Sequence, residues 1–409
     1  MRIRSAEVIP LAFPDPPLLN TWGVHEPLAL RTLVVLTLDD GTRGFGEASG
    51  DLRVLETLQT VARHLGGLRV DDPASLRRAV DESAGATARD IDRAMAFSPV
   101  EVAALDARGH VEGVPVHELL GGRVRDHVDL AGYLFFKWEG HPGHSPETDA
   151  WGEALDAAGV VRVAAQLERE YGFRSWKLKA GALDPAVEIA TMRALGEAFP
   201  GAPLRIDPNG AWAVDTAVRV ADELEGVIDY LEDPAAGIAG MAEVRRRTRL
   251  PLATNMIATT WASLDESARA EAVDIVLADH HYWGGLTDTL ALGRRCAELG
   301  LGVAMHSNSH LGVSLAAMVH AAAAMPELGH SCDTHYPWNV AADIVRPGAL
   351  RITGGAIEVP RTPGLGVEVD PAAVERLHRA YLDSGRTRRD DTAYARRVDP
   401  TFDPSLPRY

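Results

Sequence analysis

The chain is poor in cysteine. Cys296 and Cys332 are the only two in 409 residues, and neither lies in a C-x-x-C. A disulfide framework is therefore excluded, and a reducing cytoplasm is the expected setting. An excess of positive charge is lacking too: 41 basic residues against 58 acidic ones leave a net charge of −17. That balance argues against nucleic acid as a partner, because phosphate binding needs a cationic footprint. A small anionic substrate is not excluded, since it feels only the field of its own pocket. Long hydrophobic runs are missing: the most apolar stretch, 315–325, contains His320 and stops at Pro326, too short to span a bilayer. The first ten residues have no apolar h-region, so no signal peptide is expected. No G-x-G-x-x-G or Walker loop follows any apolar run.

What is present is ordinary for a soluble globular protein, with 46% hydrophobic and 24% charged residues. The length allows two or three domains, or one large barrel with a smaller companion. Residues 1–125 read as an α+β unit. Strand 33–38, the turn Asp39-Asp40-Gly41 and strand 42–47 form a hairpin. Helical patterns follow at 54–65, 73–81 and 99–113, the last two opened by Pro73 and Pro99. Over 126–363, apolar runs (128–135, 175–179, 204–207, 228–232, 252–255, 274–279, 302–306, 331–335) alternate with amphipathic helical stretches. Eight evenly sized alternations predict an α/β fold of the (β/α)8-barrel type. Residues 364–409 turn polar, with a helix at 371–384 and an arginine-rich segment at 386–391. This segment either returns to the N-terminal unit, completing a capping domain over the barrel mouth, or is a solvated tail.

In such a barrel the reacting groups project from the C-terminal strand ends. From the second run onward each run closes on a polar residue: Lys179, Asp207, Glu232, Asn255, Asp279, His306 and His335. Singly, these residues read as turn formers, caps or structural histidines; in register on one rim they read as a site. Asp207, Glu232 and Asn255 end consecutive strands, and three hard oxygen donors fit Mg2+ better than zinc. Lys177 and Lys179 share one strand face, so their mutual repulsion is expected to lower one pKa and yield a base. Asp279 and His306 end neighbouring strands, and the carboxylate can orient the imidazole as a second acid/base. Two bases flanking a divalent metal suit proton abstraction next to a carboxylate.

The ordered set Lys177-Leu-Lys179, Asp207-Pro-Asn-Gly-Ala-Trp212, Glu232-Asp-Pro, Ala253-Thr-Asn255-Met, Leu277-Ala-Asp279, His306-Ser-Asn308 and Asp333-Thr-His335 resembles the glucarate dehydratases. These belong to the mandelate-racemase-like branch of the enolase superfamily. Gly44-Phe-Gly-Glu47, Gly132-Tyr-Leu-Phe-Phe136 and Arg389-Asp-Asp391 extend the likeness nearly end to end. The resemblance implies an enolase-like modified barrel with a capping domain, Lys179 and His306 as the two bases, and Asp279 supporting His306. It implies Mg2+ on Asp207, Glu232 and Asn255, and substrate contacts from His25, Thr87, Tyr133, Lys177, Asn209, Asn308, His335 and Arg389. One departure stands out. The segment between Glu232 and Asn255 is shorter than in typical glucarate dehydratases and omits an acidic residue credited there with metal binding. Ile238 and Ala239 near the gap cannot replace it, so Glu232 is expected as the second ligand, with Asp233 as understudy.

The expected activity is Mg2+-dependent dehydration of an acid sugar, D-glucarate first, to a 2-keto-3-deoxy acid. The expected partner is that small diacid, with no membrane or nucleic acid; self-association into a homo-oligomer stays open. Racemisation or epimerisation on the same bases is the nearest alternative. A zinc hydrolase, suggested by 15 histidines and His306-x-x-x-His310, and an inactive binding protein on the same fold are more distant ones.

Overall fold

The computed structural model describes residues 1–142 and 149–409. Three antiparallel strands, Ile3–Pro14, Leu28–Leu38 and Arg43–Ser49, open the chain, with the central one paired to both others. Along Leu28–Leu38 the side chains alternate between two cores. Val34 and Leu36 join helices Leu52–Ala62, Pro73–Ala84 and Asp90–Glu112 on one face, while Leu33 and Val35 join the core that continues into the barrel. Period-two alternation thus lets one thin sheet serve both layers. The expected hairpin at Asp39–Gly41 is present, with Gly41 at φ 91°.

The helix expected to begin at Pro99 runs instead from Asp90 to Glu112, with Pro99 inside it. Asp92 caps the true start, two turns upstream, its carboxylate accepting from the Arg89 backbone N–H at 3.3 Å and from the Arg89 guanidinium. Helix Asp90–Glu112 lies very close to strand Arg43–Ser49. A Cβ on Gly46 would stand 1.9 Å from the Pro99 carbonyl oxygen, and one on Gly44 would stand 2.1 Å from that of Ala103. The glycines permit an approach that seats Glu47 in the interface with the barrel.

The barrel strands are His127–Phe135, Trp176–Lys179, Leu204–Asp207, Tyr230–Glu232, Leu252–Thr254, Ile275–Ala278, Gly302–Met305 and Cys332–Thr334. Each pairs in parallel with the next as far as Gly302–Met305, and Cys332–Thr334 pairs in parallel with the first. Val303, on the seventh strand, forms an isolated parallel bridge with Leu328, in the segment that leads into the eighth. The eighth strand is followed by the short helix Tyr336–Asn339, and strand Ala356–Glu358 then pairs antiparallel with the first barrel strand. The wall helix Gly312–Ala324 is buried along its whole length, which accounts for its run of alanines. No helix among the described residues is long and apolar enough to cross a membrane.

Helix Pro371–Ser384 packs on strand Ile3–Pro14, where His378 Nδ1 lies 2.8 Å from the Pro10 carbonyl oxygen. Beyond it, Arg386 pairs with Glu26, Asp391 accepts from the Asn20 amide, and the Arg408 guanidinium donates to the Thr21 and Gly181 carbonyls. The tail thereby holds loop 15–27 against the barrel mouth.

Candidate active site

The eight strands carry two rungs of inward residues at their C-terminal ends. On Trp176–Lys179 both lysines turn inward, Lys177 one rung below Lys179. The lower rung is half ionic. Lys177 Nζ lies 2.5 Å from Glu232, 2.8 Å from Asp333 and 3.3 Å from Asp207, and Arg205 donates to Asp333 at 2.9 Å. Tyr133 donates its hydroxyl to Asp333 at 2.7 Å and lies 4.8 Å beneath the Lys177 ammonium. The other half is apolar, with Ala253, Leu277 and Ala304 packed by Tyr230.

The upper rung brings together the residues expected to carry the chemistry. Lys179 Nζ is 2.5 Å from Asp207 and 3.2 Å from Asn209 Oδ1. Glu232 follows on the next strand, and ligand oxygens of Asp207, Glu232 and Asp233 lie within 4.8 Å of one another. Asn255 comes next, donating its amide to His306 Nε2 at 2.9 Å. The other nitrogen of His306, Nδ1, donates to Asp279 Oδ2 at 3.0 Å. Because a carboxylate oxygen only accepts, the Nδ1 proton is fixed and Nε2 is the reactive nitrogen. Asn308 joins this wall through Tyr282, whose hydroxyl accepts its amide and whose ring stacks on His306.

Burial and charge set these groups apart. Burial alone would raise Asp207, but Lys179 and Lys177 hold it well below the ordinary carboxylate range. Burial, and then Asp207 beside it, push Glu232 well above that range, and push Asp233 up to about 7. Burial likewise opposes the charge on Lys177, yet Asp333 and Glu232 outweigh it and push its pKa up. The expectation that the lysine pair would repel itself into a lowered pKa therefore fails at Lys177: it has more anions than ammonium neighbours. Asp279 is held far below its usual value, since His281 and His306 more than offset its burial.

The oxygen donors can be tested against a metal. Glu232 Oε2 and Asn255 Oδ1 are buried with no hydrogen-bond partner among the described residues. Both oxygens of Asp233 are already taken, Oδ1 by the Thr254 hydroxyl and Oδ2 by the Asn255 backbone N–H at 3.0 Å. Free, buried, hard oxygens on Asp207's neighbours fit an oxygen-seeking divalent cation, with Asp233 holding Asn255 in place. Ile238 and Ala239 fall in the first turn of helix Gly237–Arg247 and offer no donor.

Away from the metal donors, His335 is buried with both ring nitrogens unpartnered among the described residues, and burial pushes its pKa down to about 3. Its ring stacks on His25 at 6.1 Å, and His25 Nδ1 donates to Asp15 at 3.0 Å. Arg389 reaches the same Asp15 oxygen at 3.3 Å and pairs with Asp391 at 2.8 Å. Thr87 is not brought to this cluster; it stands exposed in the turn between helices Pro73–Ala84 and Asp90–Glu112. His310, considered as a zinc ligand, packs its ring against His280 and His281 instead. Sequence reasoning missed Arg205, Asp333, Asp15 and His281. The first two carry a readable signal, each lying two residues before a rim position on its strand.

Comparison with known proteins places the chain in a family. The enolase C-terminal domain-like family model matches residues 159–373, and the N-terminal domain of mandelate racemase / muconate lactonizing enzyme matches residues 24–121. The chain is 47% identical, over 100% of its length and 99% of the relative's, to a probable glucarate dehydratase of Streptomyces coelicolor. An enolase from Thermobispora bispora, complexed with magnesium and formate, superimposes with a TM-score of 0.97 at 47% identity, covering 100% of both chains. One from Mycobacterium smegmatis, complexed with tartrate, gives 0.97 at 49% identity over 100% of this chain and 98% of that one. With two lysines on one wall, a histidine on the other and oxygen donors between them, the chain belongs to the enolase superfamily, in its mandelate-racemase-like branch.

Proposed function

We propose that this protein is a Mg2+-dependent acid-sugar dehydratase whose substrate is D-glucarate. The observation that carries the reading is the order of groups around the ring: Lys179, then the oxygens of Asp207, Glu232 and Asn255, then Asp279 and His306. Asp207, Glu232 and Asn255 would hold Mg2+, which when bound supplies Lewis-acid stabilisation to a substrate carboxylate. The magnesium of the Thermobispora relative and the acid ligands of both relatives support this.

Lys179 removes the proton α to the carboxylate, breaking the Cα–H bond. Lys177, held cationic by three carboxylates, stabilises the enediolate charge that develops. His306, protonated at Nε2 and aimed by Asp279, delivers its proton to the β-hydroxyl as the C–O bond breaks and water departs. The enol tautomerises to the 2-keto-3-deoxy diacid. His335 stacks on His25, which shares Asp15 with Arg389, and Arg389 is the group that would meet the second carboxylate. Epimerisation is a second reading, because bases on both walls can serve both faces of one carbon. Incubating the protein with mono- and diacid sugars, with Mg2+ or EDTA, and trapping keto acid with semicarbazide tests the proposal. Keto acid from D-glucarate, abolished by EDTA, is the expected result. Epimerised sugar without keto acid would establish the second reading, and turnover restored by zinc alone would overturn both.

A further inference from the structure

Behind His306 lies a buried relay that the chemistry above does not use. Asp279 has two carboxylate oxygens, and only Oδ2 serves His306. Oδ1 accepts both the ring Nδ1 of His281 at 2.8 Å and the His281 backbone N–H at 2.9 Å. On its far edge, His281 Nε2 lies 3.0 Å from the Glu47 carbonyl oxygen and 3.0 Å from the Ser314 hydroxyl. Glu47 belongs to the N-terminal sheet. Its side chain accepts from Arg31 Nε at 2.6 Å and from the backbone N–H groups of Leu311 and Ser314 at 2.9 and 2.8 Å. Arg31 also donates to the Ser314 hydroxyl at 3.1 Å. Arg31, Glu47, Asp279 and His281 are all buried.

A carboxylate held by one oxygen can still turn about its Cβ–Cγ bond, and the imidazole resting on the other oxygen turns with it. Two donors on Oδ1 remove that freedom. The plane of Asp279, and with it the direction of the His306 ring, is then set by an imidazole whose far edge is fastened to another part of the molecule. We propose that His281 is a positioning residue for His306, anchored by the Arg31–Glu47 pair, so that the N-terminal unit orients the proton donor of the barrel from behind. The inference rests on the proposed role of His306. It assigns work to the Gly44-Phe-Gly-Glu47 segment, whose glycines let the strand sit close enough to helix Asp90–Glu112 for Glu47 to reach the barrel.

The test compares His281→Leu, which loses the ring donor and leaves Oδ1 only the backbone N–H, with His281→Asn, whose side-chain amide can replace Nδ1. Displacing a catalytic group by about 1 Å costs on the order of 10²-fold, so His281→Leu should lose about that factor in kcat, with KM nearly unchanged. His281→Asn should recover most of it. In D2O, His281→Leu should still exchange the α-proton on the Lys179 side. A second readout needs no turnover. In the resting protein labelled with 15N-histidine, the His306 ring N–H signal, assigned by its loss in His306→Asn, should persist in His281→Asn and vanish into exchange with water in His281→Leu. Wild-type kcat in His281→Leu, equal losses in the two variants, or loss of the Lys179-side exchange along with turnover would overturn the proposal. If the wild type turns over no acid sugar, the functional reading fails separately. The ring N–H signal then decides the positioning alone, and its survival in His281→Leu would refute it.

Discussion

Glu232 and Asp233 are adjacent buried carboxylates, and only one is expected to bind the metal. Glu232 Oε1 accepts from Lys177, while Oε2 is buried with no partner among the described residues; Asp233 has both oxygens engaged. Glu232→Gln keeps the shape and an acceptor for Lys177 but replaces the free anionic donor with an amide. Losing one charged contact of this kind costs about 1.5–3 kcal/mol, or about 10- to 150-fold in the Mg2+ dissociation constant. At a Mg2+ concentration 100-fold above Kd, the wild type gains about 2.7 kcal/mol of stability, whereas a site weakened about 100-fold gains about 0.4 kcal/mol. The metal-induced rise in Tm should therefore nearly vanish in Glu232→Gln. Without metal the variant should be as stable as the wild type or more so, because burial and Asp207 already disfavour the charged form of Glu232. Asp233→Asn should show the reverse pattern: a lower metal-free Tm, from disturbing the Thr254 and Asn255 contacts, and a retained response to Mg2+. Titration calorimetry and thermal unfolding, each with and without Mg2+, measure both quantities. If Glu232→Gln binds Mg2+ like the wild type while Asp233→Asn does not, the reasoning from unpartnered oxygens is refuted.

Three further outcomes are expected. In D2O, His306→Asn should retain exchange of the α-proton facing Lys179 while losing about 10²–10⁴-fold in dehydration, and Lys179→Ala should lose that exchange; identical behaviour on both epimers would remove the assignment of faces. Arg389→Gln should lower kcat/KM for a diacid sugar by about 10- to 150-fold and leave the matching aldonate almost unchanged; unchanged diacid kinetics would make Arg389 a purely structural partner of Asp15 and Asp391. Burial pushes Glu188 up to about 7, above its ordinary 4.5, so its protonated form is favoured by folding. Its contribution is complete below its unfolded pKa and is lost as pH rises through about 7. Glu188→Gln should thus gain about 3 kcal/mol on the wild type between pH 4 and pH 8, and parallel denaturation curves would contradict this.

The rim was legible because a barrel strand makes its last residue conspicuous. A polar side chain closing an apolar run recurs at intervals of 23 to 29 residues, and parallel pairing puts every such residue at one mouth. The rung beneath was half hidden. Arg205 and Asp333 interrupt apolar runs, and a single charge there reads as an imperfection until its partner, 128 residues away, is known. Strand Ile3–Pro14 escaped notice for a related reason: residues 4–9 are exposed or half-buried and it carries Pro10 and Pro14, features tolerated because it is an edge strand covered by helix Pro371–Ser384. Pro99 misled because its position inside a helix is supported by tertiary packing, which propensity does not see.

The distal residues were legible only through the resemblance. His25 sits in a loop and Arg389 in the tail, 374 residues from the Asp15 that holds it, and neither lies in a segment with any period to read. The barrel strands leave no such latitude. Most are three or four residues long, so each offers the interior two positions, one for chemistry and one for the ions or apolar groups that support it. A slip of one residue on Trp176–Lys179 would turn both lysines toward the surrounding helices, strand Asp207 and Glu232 without their cation and leave Asp333 with Arg205 alone. The same short register that specifies the fold therefore specifies the charge layer beneath the site, and that layer keeps Lys177 cationic where a developing enediolate would need it.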